Sequence, residues 1–171
     1  MGLIHADGFT FGLGPYLNFG NTTVASGLGR DNGVNTVGIL TQSFAGRAGP
    51  TFVLPAALTT VITGFATYCN DASGVSRLAA FWNGSTTHVY LNVDAATGLV
   101  SAYNGSNVLL GTSTAPIWAA PGEWAYVECK VTISDTVGAV EVRLYGTTIL
   151  SLTNVDTRNG ATTNMDRVSI G

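Results

Sequence analysis

The chain has 171 residues, a net charge of −3 and a charged fraction of only 10%. Its single lysine and six arginines form no basic stripe, which argues against nucleic-acid binding through phosphate neutralisation. No window approaches the roughly 20 uncharged apolar residues of a membrane span, so no membrane partner is expected. Because globular proteins average about 25% charged residues, we expect other molecules to cover much of this surface.

The N-terminal part differs in composition from the rest of the chain. Residues 1–40 are predicted to hold a strand and an extended Gly- and Asn-rich arm or loop, and residues 41–171 one sandwich domain. Segment 12–36 shows little hydrophobic period, and arms of this kind usually contact a neighbour. The opening MGLIHADGF has no basic region and no apolar run of signal-peptide length. Synthesis in a host cytoplasm without a signal peptide is therefore expected.

Beyond the arm, short runs rich in Val, Thr, Tyr and Leu recur between turn residues. This spacing predicts an all-β sandwich or barrel. Four Asn-Gly pairs support it, because Asn-Gly readily supplies the positive φ angles of tight hairpin turns. Apart from the hairpin described next, strands are predicted near 51–54, 58–69, 77–82, 87–93, 98–103, 107–112, 147–152 and 166–170.

The clearest hairpin is GEWAYVECKVTISDTVGAVEVRLYG, residues 122–146. Apolar and polar side chains alternate along both of its strands, which predicts one core face and one outward face. The outward positions carry opposite charges that can pair across the strands: Glu128, Lys130, Glu141 and Arg143. The hairpin is therefore interpreted as a wall, with any functional site on loops elsewhere.

Several segments together resemble a known family. They are DGFTF near the start, GR at 46–47, VDAATGLVSAYNGSNVLLGTST at 93–114, the hairpin above and the closing DRVSIG. The set resembles the concanavalin A-like lectin/glucanase domain, in the laminin-G-like form found in tailed-phage virion proteins. The resemblance implies a two-sheet antiparallel jelly-roll β-sandwich and a virion setting. Such domains usually continue with one more strand, so the final strand is expected to be missing or supplied by a partner.

The sequence offers no familiar catalytic arrangement. Glucanases of this fold carry a Glu-x-Asp-x-Glu strand, and nothing here matches it. No Gly-x-Ser-x-Gly elbow occurs beside the two histidines, His5 and His88. Cys69 and Cys129 share strand faces with apolar neighbours, which favours buried, inert free thiols over a disulfide. The chain is therefore not expected to be an enzyme.

A carbohydrate surface would show aromatic rings flanked by amide and hydroxyl groups on one exposed face. The strand THVYLNV places His88, Tyr90 and Asn92 on the side opposite its apolar residues. Trp82 and Tyr103 lie beside Asn-Gly turns that bring them near that side. These five residues are the candidate carbohydrate site. The alternative is a sheet face that a neighbouring protein covers.

A calcium site is the one cofactor that the sequence suggests. The stretch NVDTRNGATTNMD gathers oxygen-bearing side chains, and Asn154, Asp156 and Asp166 are the candidate ligands. Related laminin-G-like and lectin domains often hold one calcium ion. The EF-hand spacing is not met, and Asn and Asp are also ordinary turn residues, so both interpretations stay open.

These observations favour a non-enzymatic phage virion protein, in the head as a decoration or minor capsid component or in the tail or fibre. It would work through contacts with other virion proteins and its own copies, since obligate interfaces are apolar and poor in charge. Exposed loops would touch host-surface glycans. Two alternatives remain. One is a stand-alone carbohydrate-binding module, and the other is an enzyme of unusual mechanism that depends on Asp156 or Asp166.

Overall fold

The computed structural model describes residues 51–68, 74–120 and 122–170, together with the backbone of two strands at 22–26 and 37–41. These described residues form twelve strands, and they contain no helix long and apolar enough to cross a membrane. The strands are β1 (Thr22–Ser26), β2 (Val37–Thr41), β3 (Thr51–Leu58), β4 (Thr60–Tyr68), β5 (Val75–Asn83), β6 (Thr86–Asp94), β7 (Val100–Asn104), β8 (Leu109–Thr112), β9 (Trp124–Thr132), β10 (Gly138–Leu144), β11 (Thr147–Val155) and β12 (Met165–Ile170).

Strands β1 and β2 pair with each other in an antiparallel hairpin, with Thr22 opposite Thr41. Strand β1 lies inside the segment that was expected to be an arm or loop, because its sequence TTVAS supplies β-branched residues suited to pairing. The other residues of 1–40 lie outside the described part of the chain. The arm and the division of the chain at residue 40 therefore stay predictions.

Two larger antiparallel sheets form the body of the protein. The strand order is β11-β10-β9-β4 in the four-stranded sheet and β3-β12-β5-β6-β7-β8 in the six-stranded sheet. Their inward faces meet in one core to which Phe81, Val89 and Leu91 of the six-stranded sheet contribute with Val127 and Val131 of the four-stranded sheet. The chain is thus an all-β, two-sheet antiparallel jelly-roll sandwich, as the sequence predicted.

The closing strand is paired on both sides. Strand β12 lies between β3 and β5, with Val168 opposite both Phe52 and Phe81. Edge positions in the described sheets belong instead to β3, β8, β4 and β11. Pro55 lies in β3, where an edge strand tolerates a residue without a backbone N–H. Strand or arm exchange with a neighbour stays a prediction.

The hairpin formed by β9 and β10 follows the predicted alternation. Cys129 faces the core, is fully buried and forms no disulfide, and burial raises the pKa of its thiol to about 12. Such a thiol is an inert packing group, which confirms this half of the cysteine prediction. Cys69 lies outside the described residues. On the outward face Arg143 Nε donates to Glu141 Oε1 at 2.8 Å, and Glu128 lies opposite Arg143 on β9.

Candidate functional site

The outward face of the six-stranded sheet carries aromatic and polar side chains in adjacent rows. Tyr90 of β6 pairs with Ala80 of β5 and with Tyr103 of β7. Asn92, two residues along the same strand, pairs with Arg77 and Ser101. Residues paired across strands project to the same side of a sheet. We call this surface the Tyr90 face, made of Arg77, Ala80, Trp82, Tyr90, Asn92, Ser101 and Tyr103.

Tyr90 is fixed from three directions. The Tyr103 ring stacks on it with a centroid separation of 5.1 Å and an interplanar angle of 12°. The guanidinium carbon of Arg77 lies 3.7 Å from the Tyr90 ring centroid, and Arg77 comes from the strand on the other side of β6. The Tyr90 hydroxyl donates to Asn107 Oδ1 at 2.7 Å. Stacking, cation–π attraction and a hydrogen bond together hold the ring in one orientation.

Asn107 also supports the Tyr90 face, and it was not among the site residues predicted from the sequence. It lies in the turn between β7 and β8 with a φ of +66°, a left-handed conformation that Asn tolerates better than most residues. Hydrogen bonds inside the turn stabilise it, because Asn104 Oδ1 accepts from the backbone N–H groups of Ser106 and Val108. The Asn-Gly pair before it predicts a turn, but no local pattern indicates that Asn107 reaches Tyr90.

Trp82 lies at one side of the Tyr90 face. Its half-buried ring packs with Tyr103 against a small cluster formed by Ala80 and Tyr90. The indole nitrogen Nε1 of Trp82 is buried and has no hydrogen-bond partner. Because Ala80 is small, the large rings stand around it, and this part of the face is predominantly apolar.

A polar row runs beside the aromatic row. Asn92 lies between Arg77 and Ser101, and the Ser101 hydroxyl lies 3.0 Å from Thr112 Oγ1. Arg77 is half-buried, and desolvation lowers the pKa of its guanidinium while the neighbouring Tyr90 acts in the opposite direction. The face thus combines ring surfaces with an amide, a hydroxyl and a guanidinium, the groups with which proteins orient polyhydroxylated ligands.

His88 does not lie on this face, contrary to the alternation expected from the sequence. The β5–β6 register shifts between Phe81 and Trp82, so that His88 is the extra residue of a β-bulge. It is fully buried, with Nδ1 accepting from the Asn159 backbone N–H at 3.0 Å and Nε2 lying 3.2 Å from Thr162 Oγ1. The imidazole therefore fastens the loop between β11 and β12 to the sheet.

Two of the three candidate calcium ligands, Asp156 and Asp166, accept hydrogen bonds from protein donors. Both carboxylate oxygens of Asp166 accept from the Gly84 backbone N–H, at 3.0 and 3.1 Å, and Arg167 pairs with the same group. Asp156 is exposed and accepts from the Arg158 backbone N–H. Asn154 is exposed, with a φ of +57°. In the described ranges no group of three or more His, Cys, Asp or Glu side chains could hold a metal. Calcium binding stays a prediction.

A cavity of about 470 Å³ lies on the β9–β10 hairpin that was interpreted as a wall. We call it the Trp124 cavity, and it is lined by Trp124, Ala125, Tyr126 and Tyr145. Tyr68 packs against Trp124 with a centroid distance of 5.2 Å and a tilt of 42° between the rings, and the Tyr145 hydroxyl donates to the Trp124 carbonyl at 2.6 Å. Alternation alone could not reveal this cavity, because the β10–β11 turn folds Tyr145 back over β9.

No protein-family model matches the chain, and no curated protein sequence matches it. Among solved structures it is similar to the carbohydrate-binding module CBM66 from Bacillus subtilis, with 13% identity, a TM-score of 0.49 and coverage of 88% of this chain and 84% of that chain. It is also similar to the endo-β-1,4-glucuronan lyase from the fungus Trichoderma reesei, with 12% identity, a TM-score of 0.56 and coverage of 91% and 77%. A third structure, alginate lyase Aly36B, shows 11% identity, a TM-score of 0.41 and coverage of 72% and 63%.

These likenesses concern the fold. The glucuronan lyase covers most of the chain, and at 12% identity the likeness shows a shared sandwich architecture. A shared fold does not by itself decide between a binding protein and an enzyme. The conclusion from the comparisons is therefore the sandwich fold itself.

Proposed function

We propose that the protein binds carbohydrate on the Tyr90 face and does not cleave it. The observation that carries the proposal is the fixed Tyr90–Tyr103 stack beside a row of hydrogen-bonding groups at Arg77, Asn92 and Ser101. Sugar rings present flat C–H surfaces edged by hydroxyl groups. A fixed aromatic ring buries the C–H surface of the sugar, and neighbouring amide and hydroxyl groups orient the sugar hydroxyls.

Preorganisation supports this function. Tyr90 is only 8% exposed and is held by Tyr103, Arg77 and Asn107 before any ligand arrives. A ring that is already immobile loses little conformational entropy on binding, and this favours affinity. Tyr103 and Trp82 are more exposed and supply the surfaces that a ligand contacts first.

The histidine in the described part of the chain is not available to a ligand on the Tyr90 face. General acid–base chemistry needs a titratable group within hydrogen-bond reach of the substrate. His88 is fully buried, and both of its ring nitrogens face groups of the 156–164 loop. The glucuronan lyase of similar fold acts, by its name, on a polysaccharide, so the binding assay below should include a search for cleavage products.

The proposal is tested by measuring binding to a panel of neutral and acidic polysaccharides. Tyr103→Ala should weaken binding about tenfold, which corresponds to about 1.4 kcal/mol, because it removes a stacking ring. The matched control is Tyr145→Asn at the Trp124 cavity, where Tyr145 is 64% exposed and Asn tolerates its φ of +49°. Equal affinity of the wild type and Tyr103→Ala for every bound polysaccharide would contradict the proposal.

A virion role through assembly contacts is a second candidate. It stays a prediction from composition and from the resemblance to phage proteins. The observation that favours it is the outward side of edge strand β4, where Ile62 is 53% and Tyr68 45% exposed. Quantitative mass spectrometry of purified particles from the source tests it. A copy number in proportion to the capsid or tail proteins would support the role, and absence of the chain from particles would contradict it.

A further inference from the structure

We infer that the ligand of the Tyr90 face is an acidic glycan and that Arg77 binds its carboxylate or sulfate group. This inference rests on the proposed function and names the class of carbohydrate that the face selects. The observation behind it is a cation in the middle of the Tyr90 face that has no counter-charge among the described residues.

Arg77 is the exception among the arginines of the described ranges. Three of them pair with a carboxylate within salt-bridge distance: Arg143 with Glu141, Arg158 with Asp135 and Arg167 with Asp166. Arg77 has no such partner among the described residues, although it is more buried than the exposed Arg143. A chain with ten acidic and seven basic residues does not lack carboxylates to pair with it. Among the four arginines of the described ranges, the missing counter-charge is therefore specific to Arg77.

The nitrogen Nε of Arg77 is buried and has no hydrogen-bond partner in the part of the chain that the structure describes. Buried polar atoms in folded proteins nearly always have a partner, and an unpartnered charged group is the costlier kind. Such exceptions have several causes, and an ordered water or a bound ion is one of them. Because Nε itself is buried, a bound oxyanion would reach the guanidinium at its terminal nitrogens and supply a counter-charge that no described residue provides.

The geometry of Arg77 suits such a group. Its guanidinium carbon lies 3.7 Å from the Tyr90 ring centroid, so the ring fixes the end of the side chain. A guanidinium held against an aromatic face keeps N–H groups at its edge, and this fork matches the paired oxygens of a carboxylate or sulfate. Asn92 lies opposite Arg77 on β6 and offers an amide to the same sugar.

The competing explanation is that Arg77 only supports Tyr90. A purely structural arginine would affect all ligands of the face equally, because it would act through the position of the ring. An arginine that binds an acidic group would affect acidic ligands and leave neutral ones nearly unchanged. The two explanations therefore differ in selectivity and not in overall affinity.

The experiment compares polygalacturonate and a sulfated galactan with a neutral galactan, for the wild type, Arg77→Gln and Arg143→Gln. Arg143→Gln is the matched control, since it removes the same charge from the opposite sheet, outside the proposed site. We expect the wild type to bind at least one acidic polymer at least tenfold more tightly than the neutral one. Arg77→Gln should abolish that preference, and Arg143→Gln should keep it. A preference for polygalacturonate alone assigns a carboxylate, and one for the sulfated polymer alone assigns a sulfate.

Two further measurements keep the test decisive. If Arg77→Gln fails to fold, Arg77→Lys keeps the charge without the fork and should lose most of the preference. Raising the salt concentration should weaken binding of the acidic polymer and leave the neutral polymer bound as before. Equal affinity for acidic and neutral polymers, or equal losses in Arg77→Gln and Arg143→Gln, would overturn the inference while leaving carbohydrate binding intact. Absence of binding to any polymer would instead overturn the proposed function, and the inference with it.

Discussion

The outward faces of the two sheets contain similar residue types in different arrangements. On the four-stranded sheet Arg143 pairs with Glu141, and the aromatic rings gather at one end around Trp124. On the six-stranded sheet the rings of Tyr90 and Tyr103 lie within the face, beside an arginine that has no acidic partner among the described residues. The comparison indicates that the arrangement of charges, more than the number of aromatic residues, distinguishes the candidate site on the six-stranded sheet from the structural face of the four-stranded sheet.

The two faces also differ in how their aromatic side chains are held. Tyr90 is 8% exposed and fixed by neighbours from three elements, whereas Tyr145 is 64% exposed and held by one hydrogen bond to the Trp124 carbonyl. Substitutions should therefore cost more stability on the Tyr90 face than at the Trp124 cavity.

The largest effect is expected for Tyr90→Ala. It removes a buried ring and leaves Arg77 and Asn107 without their contacts, so the free energy of unfolding should fall by about 3 to 5 kcal/mol. Carbohydrate binding should be lost as well. Tyr145→Asn should change stability by less than about 1 kcal/mol, since the ring is largely exposed. Urea unfolding of both variants measures the contrast, and equal losses would contradict it.

The next effect concerns His88, which joins the six-stranded sheet to the 156–164 loop. His88→Gln should lower stability by about 1 to 3 kcal/mol, because the buried Asn159 amide loses its acceptor or gains one of poorer geometry. The side chain of Gln lacks the rigid ring that places Nδ1. Urea unfolding at pH 7.5 measures this loss, and an unchanged midpoint would show that the hydrogen bond is dispensable.

The same residue predicts a pH dependence. Burial lowers the pKa of His88 from its ordinary 6.5; a hydrogen bond with the Asn164 backbone opposes this, Arg158 adds to it and Asp166 opposes it. The folded state therefore prefers the neutral ring, so stability should be full above about pH 6.5 and fall as the pH drops through that value towards the lower folded pKa. His88→Gln should not show this fall. Parallel slopes for wild type and variant between pH 7.5 and 5 would refute this interpretation.

A smaller effect is expected for Tyr90→Phe. The substitution removes only the hydroxyl that donates to Asn107, an exposed residue, so the cost should be about 1 kcal/mol. Binding should weaken slightly, because the β7–β8 turn loses its link to the ring. Asn107→Ala provides a comparison that deletes the same bond from the other side. Thermal unfolding of the two single variants and the double variant measures the coupling, which should vanish if no bond exists.

The smallest effect is expected for Glu141→Gln on the four-stranded sheet. Arg143 pulls the pKa of Glu141 below its ordinary value, with help from Thr148 and Lys130, but the pair is exposed to solvent. Surface pairs of this kind contribute about 0 to 1 kcal/mol. The variant should unfold almost as the wild type does and should bind carbohydrate equally well. A large loss of binding would place the site on the wrong sheet.

Much of the fold could be predicted from the sequence because strand alternation is a local property. The alternation around Cys129 specifies which side of β9 faces the core, and the Val127 and Val131 contacts confirm it. The strand bounds were less predictable. One strand expected over 58–69 divides at Thr59, where β3 ends and β4 begins in the other sheet.

The site was only partly predictable. Tyr90, Asn92 and Tyr103 share a face as alternation requires, but His88 leaves that face because of a bulge that depends on pairing with β5. The importance of Arg77 could not be predicted either. It follows from the absence of a carboxylate partner among the described residues, and that is a property of the tertiary structure.

The most direct test of the central claim uses the three tryptophans of the chain as reporters. Trp82 belongs to the Tyr90 face, Trp124 lines the Trp124 cavity on the other sheet, and Trp118 is 8% exposed in the core. Their indole N–H signals can be followed by NMR during titration with an oligosaccharide of the tightest-binding polymer, with assignments from single Trp→Phe variants. If the ligand binds the Tyr90 face, the Trp82 signal shifts with saturation while that of Trp124 stays in place. A shift of Trp124 with Trp82 unchanged would contradict the assignment of the site.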